Sequence, residues 1–263
     1  MTTPTRSTAC TALAALLLGV AGLGCATTRS DAERERDERR AQSHHDLGVD
    51  HMANRRPELA LRELLLSQRM RPEHPPTHFA LANAYLYKGK LEEAERELLR
   101  ALDLFPEYQD ARLNLSTLYL QQARWQEAVE QTEILLADPT FPSPWRAHSN
   151  QGWAELNLGR SAEARRSLEA ARNYNRRYWP ALLNLGILEQ QAGHHLDAVE
   201  LFQRMLELDP DPNAEAEANY RIAEIYISLG KRERALGHLM AAVAETPEGE
   251  WGRKSEEYLK LLR

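Results

Sequence analysis

The sequence predicts an all-α protein in which six helix-turn-helix repeats stack in a row. The main observation is a pair of small residues twelve positions apart, which recurs six times along the chain. Two antiparallel helices approach closely only where both carry small side chains, so each pair marks a helix crossing. The pairs are Gly48/Ala60, Ala82/Ala94, Ser116/Ala128, Gly152/Ala164, Gly186/Ala198 and Ala223/Ala235.

Residues that end helices recur in the same register. When the small residues are numbered 8 and 20 of each repeat, glycine falls at position 15 in four repeats and proline at position 32 in four repeats. Glycine supplies the left-handed conformation that ends the first helix, and proline stops the second helix. The glycines are Gly89, Gly159, Gly193 and Gly230, and the prolines are Pro72, Pro106, Pro210 and Pro247. Large apolar residues at position 24 fill the seam: Leu64, Leu98, Leu168, Phe202 and Leu239.

The pattern resembles the tetratricopeptide repeat (TPR), a helix-turn-helix unit of 34 residues. Residues 179–210 carry its clearest copy. The resemblance implies a right-handed superhelical solenoid of six tetratricopeptide repeats with a C-terminal capping helix. The repeats are predicted at 41–74, 75–108, 109–144, 145–178, 179–215 and 216–249. A single helix pair cannot bury its apolar face, so each repeat uses its neighbours as core.

Three segments depart from the regular period. The proline-rich stretch 138–144 is either a hinge or a longer connection, and three extra residues at 211–213 precede the sixth repeat. Residues 250–263 form the capping helix, with Trp251, Tyr258, Leu259 and Leu262 on one side. We expect this helix to cover the apolar face of the last repeat.

The amino terminus reads as a targeting segment. Residues 9–23 are apolar apart from one threonine, a length typical of a secretory signal and short for a membrane span. The run ends in Ala21-Gly22-Leu23-Gly24-Cys25, which resembles a bacterial lipobox, although Gly22 stands where that family usually has leucine. The resemblance implies a lipoprotein signal peptide at 1–24 and lipidation of Cys25. An ordinary cleaved signal or an uncleaved anchor are the alternatives.

Residues 25–40 then comprise the lipidated cysteine and a charged tether, in which acidic and basic residues alternate. The tether either stays mobile or lengthens the first helix. The residue after Cys25 is Ala26 rather than aspartate. In lipoproteins of Gram-negative bacteria this implies sorting to the outer membrane.

No catalytic constellation is visible in the sequence. It contains no Gly-rich phosphate loop, no nucleophile elbow and no zinc-protease helix motif. The histidines near 44–51 and at 194–195 are too few to converge as a metal site, and we expect them at the surface or in the groove. The net charge of -6 is dispersed, which gives no nucleic-acid footprint. We therefore expect no enzyme activity, cofactor, metal, nucleic acid or small-molecule substrate.

The first helices of a TPR stack present positions 2, 5, 9, 12 and 13 to the concave side, and we call these side chains the inner strip. The strip is apolar, carries aromatic residues and has almost no basic ones, so it suits an extended apolar peptide or an amphipathic helix. Its candidate binding residues are His45, Met52, Phe79, Asn83, Leu86, Tyr87, Leu113, Leu120, Trp153, Leu156, Leu183, Ile187, Tyr220 and Ile227. The alternative is that some of the leucines pack between repeats, above all Leu113 and Leu183. Asparagines at position 6 are interpreted mainly as scaffold: Asn114, Asn150 and Asn184.

A lipobox-like segment, a short tether and six TPRs resemble the pilotin lipoproteins of type IV pili, the PilF/PilW/Tgl family. The resemblance implies a lipid-anchored protein on the periplasmic face of the outer membrane. It would bind secretin subunits and promote their assembly or localisation for pilus biogenesis and pilus-based motility. The alternative hypothesis is a general periplasmic TPR adaptor that recruits enzymes of the cell envelope, which act on peptidoglycan.

Overall fold

The computed structural model describes residues 31–262, and every regular element in that range is an α-helix. The helices are α1 (Asp31–Ala53), α2 (Pro57–Met70), α3 (Pro75–Tyr87), α4 (Leu91–Leu104), α5 (Gln109–Gln121), α6 (Trp125–Leu136), α7 (Pro144–Asn157), α8 (Ser161–Tyr174), α9 (Trp179–Gln191), α10 (His195–Leu206), α11 (Pro212–Ser228), α12 (Arg232–Glu245) and α13 (Glu250–Leu261). The predicted signal peptide and the lipidation of Cys25 lie outside the described residues. Within 31–262, no helix combines the length and the apolar character needed to cross a bilayer.

The helices form six hairpins in chain order, followed by α13. Each first helix packs on its own second helix, and each second helix packs on the next first helix. Contacts between α1 and α3, α5 and α7, α7 and α9, and α11 and α13 show that first helices also lie side by side. The predicted all-α solenoid of helical repeats is confirmed.

The helix crossings lie where the small residues predict them. A Cβ atom added at Gly186 would come within 2.4 Å of the Phe202 ring, and one at Gly48 within 2.5 Å of Leu64 Cγ. Ala198, at position 20 of the same repeat as Gly186, is completely buried. The large side chain at position 24 therefore packs directly against the backbone at position 8.

Position 15 has a left-handed backbone in all six repeats, including the two that lack glycine. The four glycines have φ between 68° and 80°, while Arg55 has φ 55° and Ala123 has φ 56°. The predicted turn is confirmed at the glycines. The structure adds that the helical hairpin imposes the same conformation on residues that disfavour it.

The proline-rich stretch 138–144 is anchored to the core. Phe141 is only 6% exposed and packs in a small cluster with Leu113. Asp138 Oδ1 accepts hydrogen bonds from the backbone N–H and the hydroxyl of Thr140, at 2.8 and 2.7 Å. These contacts favour a longer connection over a hinge.

Two other irregular segments prove to be helical. Asp211 caps α11, because its Oδ1 accepts from the N–H groups of Asn213 and Ala214 at 3.1 Å each, so the extra residues form the first turn of that helix. Residues 31–40 of the tether lengthen α1, with an exposed Arg39–Glu35 ion pair at 3.4 Å.

Candidate functional site

Four predicted members of the inner strip are buried in the core. Leu113 is 1% exposed, Ile187 3%, Leu156 7% and Leu183 9%. Their prediction as peptide contacts was wrong, because these side chains turn between neighbouring helices instead of toward the open side. Leu113 is further enclosed by Phe141 from the long connection.

The aromatic members near the amino-terminal repeats remain partly accessible. Phe79 packs on the core, and its ring centroid lies 5.0 Å from that of Tyr108. The ring centroid of Tyr108 in turn lies 5.8 Å from that of Phe105, which is 46% exposed. Tyr87 is 58% exposed. We call Phe79, Phe105 and Tyr108 the amino-terminal aromatic group.

The middle of the strip has one large aromatic residue. Trp153 is partly exposed and packs against the core cluster that contains Leu156. The remaining apolar members are also partly buried and pack against the core clusters: Met52, Leu86, Leu120 and Ile227. They can add apolar area to a bound segment, although only part of each side chain is available.

A second aromatic group lies at the carboxy-terminal end of the strip. The Tyr220 ring is 5.3 Å from Trp251 and 6.3 Å from Tyr258, both on α13. From the sequence, Trp251 and Tyr258 were predicted only as residues of the cap. The repeat period could have assigned these residues to the inner strip. Glu250 follows Ala216, the first position of the sixth repeat, by 34 residues, so Trp251 falls at position 2 and Tyr258 at position 9. Tyr220, Trp251 and Tyr258 form the carboxy-terminal aromatic group.

This second group is more charged than the sequence suggested. The Arg221 guanidinium lies 5.3 Å from the Trp251 ring centroid, and Lys254 Nζ lies 4.2 Å from it. Both cations also bond a carboxylate on their own helix. Burial, followed by the charge of Glu224, raises the pKa of Tyr220 to about 12.

The polar members of the strip are committed to joining repeats. His45 Nδ1 is hydrogen-bonded to Thr77 Oγ1 of the next repeat at 3.2 Å. Asn83 Oδ1 accepts from Asn114 Nδ2 at 2.7 Å. Asn150 likewise donates to hydroxyls of the preceding repeat. These bonds support the scaffold interpretation of Asn114 and Asn150 and give His45 and Asn83 a structural role.

Other histidines lie in the seam between the two helices of a repeat. His44 Nδ1 is 2.8 Å from Glu63 Oε2, and His78 Nδ1 is 2.6 Å from Glu97 Oε2, each joining positions 4 and 23. The hydrogen bond from His44 holds the pKa of Glu63 below its usual range. His44, which we expected at the surface or in the groove, is a partly buried residue of this seam.

One trio of possible metal ligands occurs at the turn of the fifth repeat. Ligand atoms of Glu189, His194 and Asp197 lie within 4.8 Å of one another. Glu189 is already ion-paired with Arg165 and bonded to His194 at 2.7 Å. In the described part of the chain, two members of this trio, Glu189 and His194, are therefore engaged in an ion-pair network.

Comparison with known proteins agrees with the geometry. Sequence models of the tetratricopeptide repeat match residues 79–140, 114–179 and 149–215, and a second such model matches 189–254. The chain belongs to the tetratricopeptide repeat family. No curated protein matches it significantly by sequence.

Several solved structures share the TPR fold. PilW, described as a widely conserved type IV pilus biogenesis factor, has a TM-score of 0.72 at 20% identity, covering 81% of this chain and 97% of PilW. PilF of Pseudomonas aeruginosa has a TM-score of 0.69 at 17% identity, covering 86% and 99%. A chain of the APC/C Cut9–Hcn1 complex reaches 0.71 at 18% identity, but only 43% of it is covered. At these identities the likeness is one of fold.

Proposed function

We propose that this TPR protein is an outer-membrane lipoprotein that acts as a pilotin for type IV pili. It binds secretin subunits and promotes their assembly or outer-membrane localisation, and thereby supports pilus-based motility. Two facts support the proposal. The solenoid is similar in structure to PilW over 81% of this chain and 97% of PilW, and a lipobox-like sequence ends at Cys25.

The observation that carries the binding model is the row of aromatic side chains along the inner strip. Phe79 and Tyr108 stand near one end, Trp153 lies in the fourth repeat, and Tyr220 meets Trp251 at the other end. Truncating an aromatic residue that is a hot spot of an interface typically costs about 2 kcal/mol or more of binding free energy. A row of such anchors suits an apolar segment that runs along several repeats.

The proposed mechanism needs no chemical step. The strip holds an apolar segment of a secretin subunit before assembly and keeps it from aggregating. Acyl chains on Cys25 hold the scaffold at the membrane, because stable anchoring requires two signals or more. Tethering raises the effective concentration of bound subunits where they insert.

The test is charge insertion into the strip. The Phe79→Glu/Trp153→Glu variant should lose secretin multimers and surface pili, because a buried carboxylate opposes an apolar partner. Both side chains are partly buried, so folding is checked by thermal unfolding, and Tyr87→Glu gives a milder second variant at an exposed site. Met240→Glu is the matched control, since Met240 is 63% exposed on a second helix. Wild-type multimer levels in a stably folded double variant would refute the binding model.

Localisation and partner identity have their own tests. A Cys25→Ser variant should lose incorporation of labelled palmitate and leave the outer-membrane fraction. A pull-down from detergent-solubilised envelopes should retain a secretin. Recovery of peptidoglycan enzymes without a secretin would instead support the adaptor hypothesis.

A further inference from the structure

The fourth repeat has a charge opposite to that of its neighbours. Residues 145–178 contain seven arginines and three glutamates, a net charge of +4, in a chain of net charge -6. Residues 109–144 carry two arginines and five acidic residues, a net charge of -3. Residues 179–215 carry one arginine and seven acidic residues, a net charge of -6. Among the six predicted repeats, only the fourth therefore has a net positive charge.

Four of these arginines lie at one edge of the solenoid, which we call the arginine edge. Arg146 is in the first turn of α7, Arg172 is in the last turn of α8, and Arg176 and Arg177 form the turn into α9. Helices α7 and α8 are antiparallel, so the start of one meets the end of the other. Arg146, Arg176 and Arg177 are exposed, and Arg172 is half-buried.

Aromatic contacts fix this edge in place. The Tyr174 ring stacks on His148 of α7 with 5.6 Å between centroids, and Tyr174 remains 63% exposed. Burial raises the pKa of Tyr178, and the nearby Arg146 guanidinium offsets part of that rise. Asn175 Oδ1 accepts from the Arg177 N–H at 3.0 Å, which closes the turn. The edge therefore has an ordered turn and an accessible aromatic ring, with exposed arginine side chains beside them.

The guanidinium groups of the edge have no acidic partner. Within residues 31–262, no carboxylate forms an ion pair with any of its four arginines. The other arginines of the repeat are engaged: Arg165 pairs with Glu189, Arg166 lies 3.5 Å from Glu163, and Arg160 donates to a glutamine. The edge therefore keeps free donors at a point where the flanking repeats are acidic.

We propose that the arginine edge binds an acidic segment of a partner protein. The guanidinium fork matches a carboxylate with two parallel hydrogen bonds, and Tyr174 offers apolar contact to the same segment. A negatively charged membrane fits less well. The axes of packed helices are about 10 Å apart, and electrostatic screening at 0.1 M salt acts over about the same distance. A flat anionic surface held against the arginine edge would therefore also be repelled by the acidic repeats on either side. A narrow polypeptide segment contacts the edge alone.

The test measures binding of a short fluorescein-labelled peptide of alternating glutamate and glycine to the full chain in detergent. A peptide with glutamine in place of glutamate is the uncharged control. The Arg176→Glu/Arg177→Glu variant should weaken binding about tenfold or more, because attraction becomes repulsion at two contacts. The Arg232→Glu/Arg253→Glu variant changes the net charge equally at exposed sites elsewhere and should bind like the unaltered protein. Trp153→Glu should also retain binding, which separates this inference from the proposed function.

Several results would overturn the inference. These are equal binding of both peptides, or equal loss in the two double variants. Tighter binding to phosphatidylglycerol vesicles than to the peptide would assign the edge to lipid. In cells, a photo-crosslinker in place of Tyr174 should capture a segment rich in aspartate or glutamate. Capture of a segment without them, or of a second copy of this chain, contradicts the assignment.

Discussion

The left-handed turn at position 15 gives a reciprocal pair of stability predictions. Ala123 adopts φ 56° there, a conformation that costs an L-residue with a side chain about 1–2 kcal/mol. Glycine avoids that cost but loses more backbone entropy on folding, about 0.5–1 kcal/mol. Ala123→Gly should therefore stabilise the protein by about 0.5–1 kcal/mol.

The reverse change is predicted at the equivalent turn of the next repeat. Gly159 has φ 76°, and a Cβ added there would have no atom within 4 Å. Gly159→Ala therefore meets no steric clash, and its cost is purely conformational. We expect a loss of about 0.5–1 kcal/mol, equal in size and opposite in sign to the gain at Ala123.

The assay is urea unfolding followed by far-ultraviolet circular dichroism. Repeat arrays can unfold in parts, so midpoints are compared only where the slope of the transition is unchanged. Ala192→Gly is the matched control, because Ala192 is exposed in an equivalent turn but has the right-handed φ of −76°. The Ala192→Gly variant should be less stable than the unaltered protein, because glycine loses more backbone entropy on folding and no left-handed conformation is relieved. A midpoint for Ala123→Gly that falls as it does for Ala192→Gly would refute the reasoning.

Three other substitutions probe the crossings, the cap and the histidines. Gly186→Ala should cost about 1–3 kcal/mol, because its Cβ would lie 2.4 Å from the buried Phe202 ring, and Phe202→Leu should restore much of the thermal stability. Gly252→Ala would bring a Cβ within 1.8 Å of the Thr246 carbonyl oxygen, so residues 250–261 should exchange amide hydrogens faster, and unchanged protection would contradict this packing. Burial lowers the pKa of His74 from 6.5 to about 4, so the folded state binds fewer protons than the unfolded state between these values. The contribution of the neutral His74 side chain to the free energy of unfolding is present above pH 6.5 and is lost as the pH falls toward 4. His74→Gln should therefore lose less stability than the unaltered protein over that range in pH-dependent urea unfolding.

The periodic signals in the sequence were sufficient for the architecture. Small residues at positions 8 and 20, a turn at position 15 and a stop at position 32 each act within one hairpin. Local signals of this kind determine where helices begin, end and cross, and neighbouring repeats reuse the same solution. The solenoid therefore followed from counting, as did the contact of Phe202 with Gly186.

The inner strip was less predictable, because exposure depends on rotation and on distant segments. A helix turns about 100° per residue, so a small rotation of a first helix moves a side chain from the open side into the seam. Leu183 and Ile187 are buried in this way. Leu113 is covered by Phe141, which belongs to a connection that the repeat pattern does not describe.

The sequence by itself determined that this protein is a stack of helical hairpins. Only the tertiary structure placed Trp251 of the cap beside Tyr220 and gathered the unpaired arginines around Arg176 at one edge. The physical reason is the range of the interactions. Turns and crossings are set by residues a few positions apart, whereas a binding surface is made where separate helices bring their side chains together.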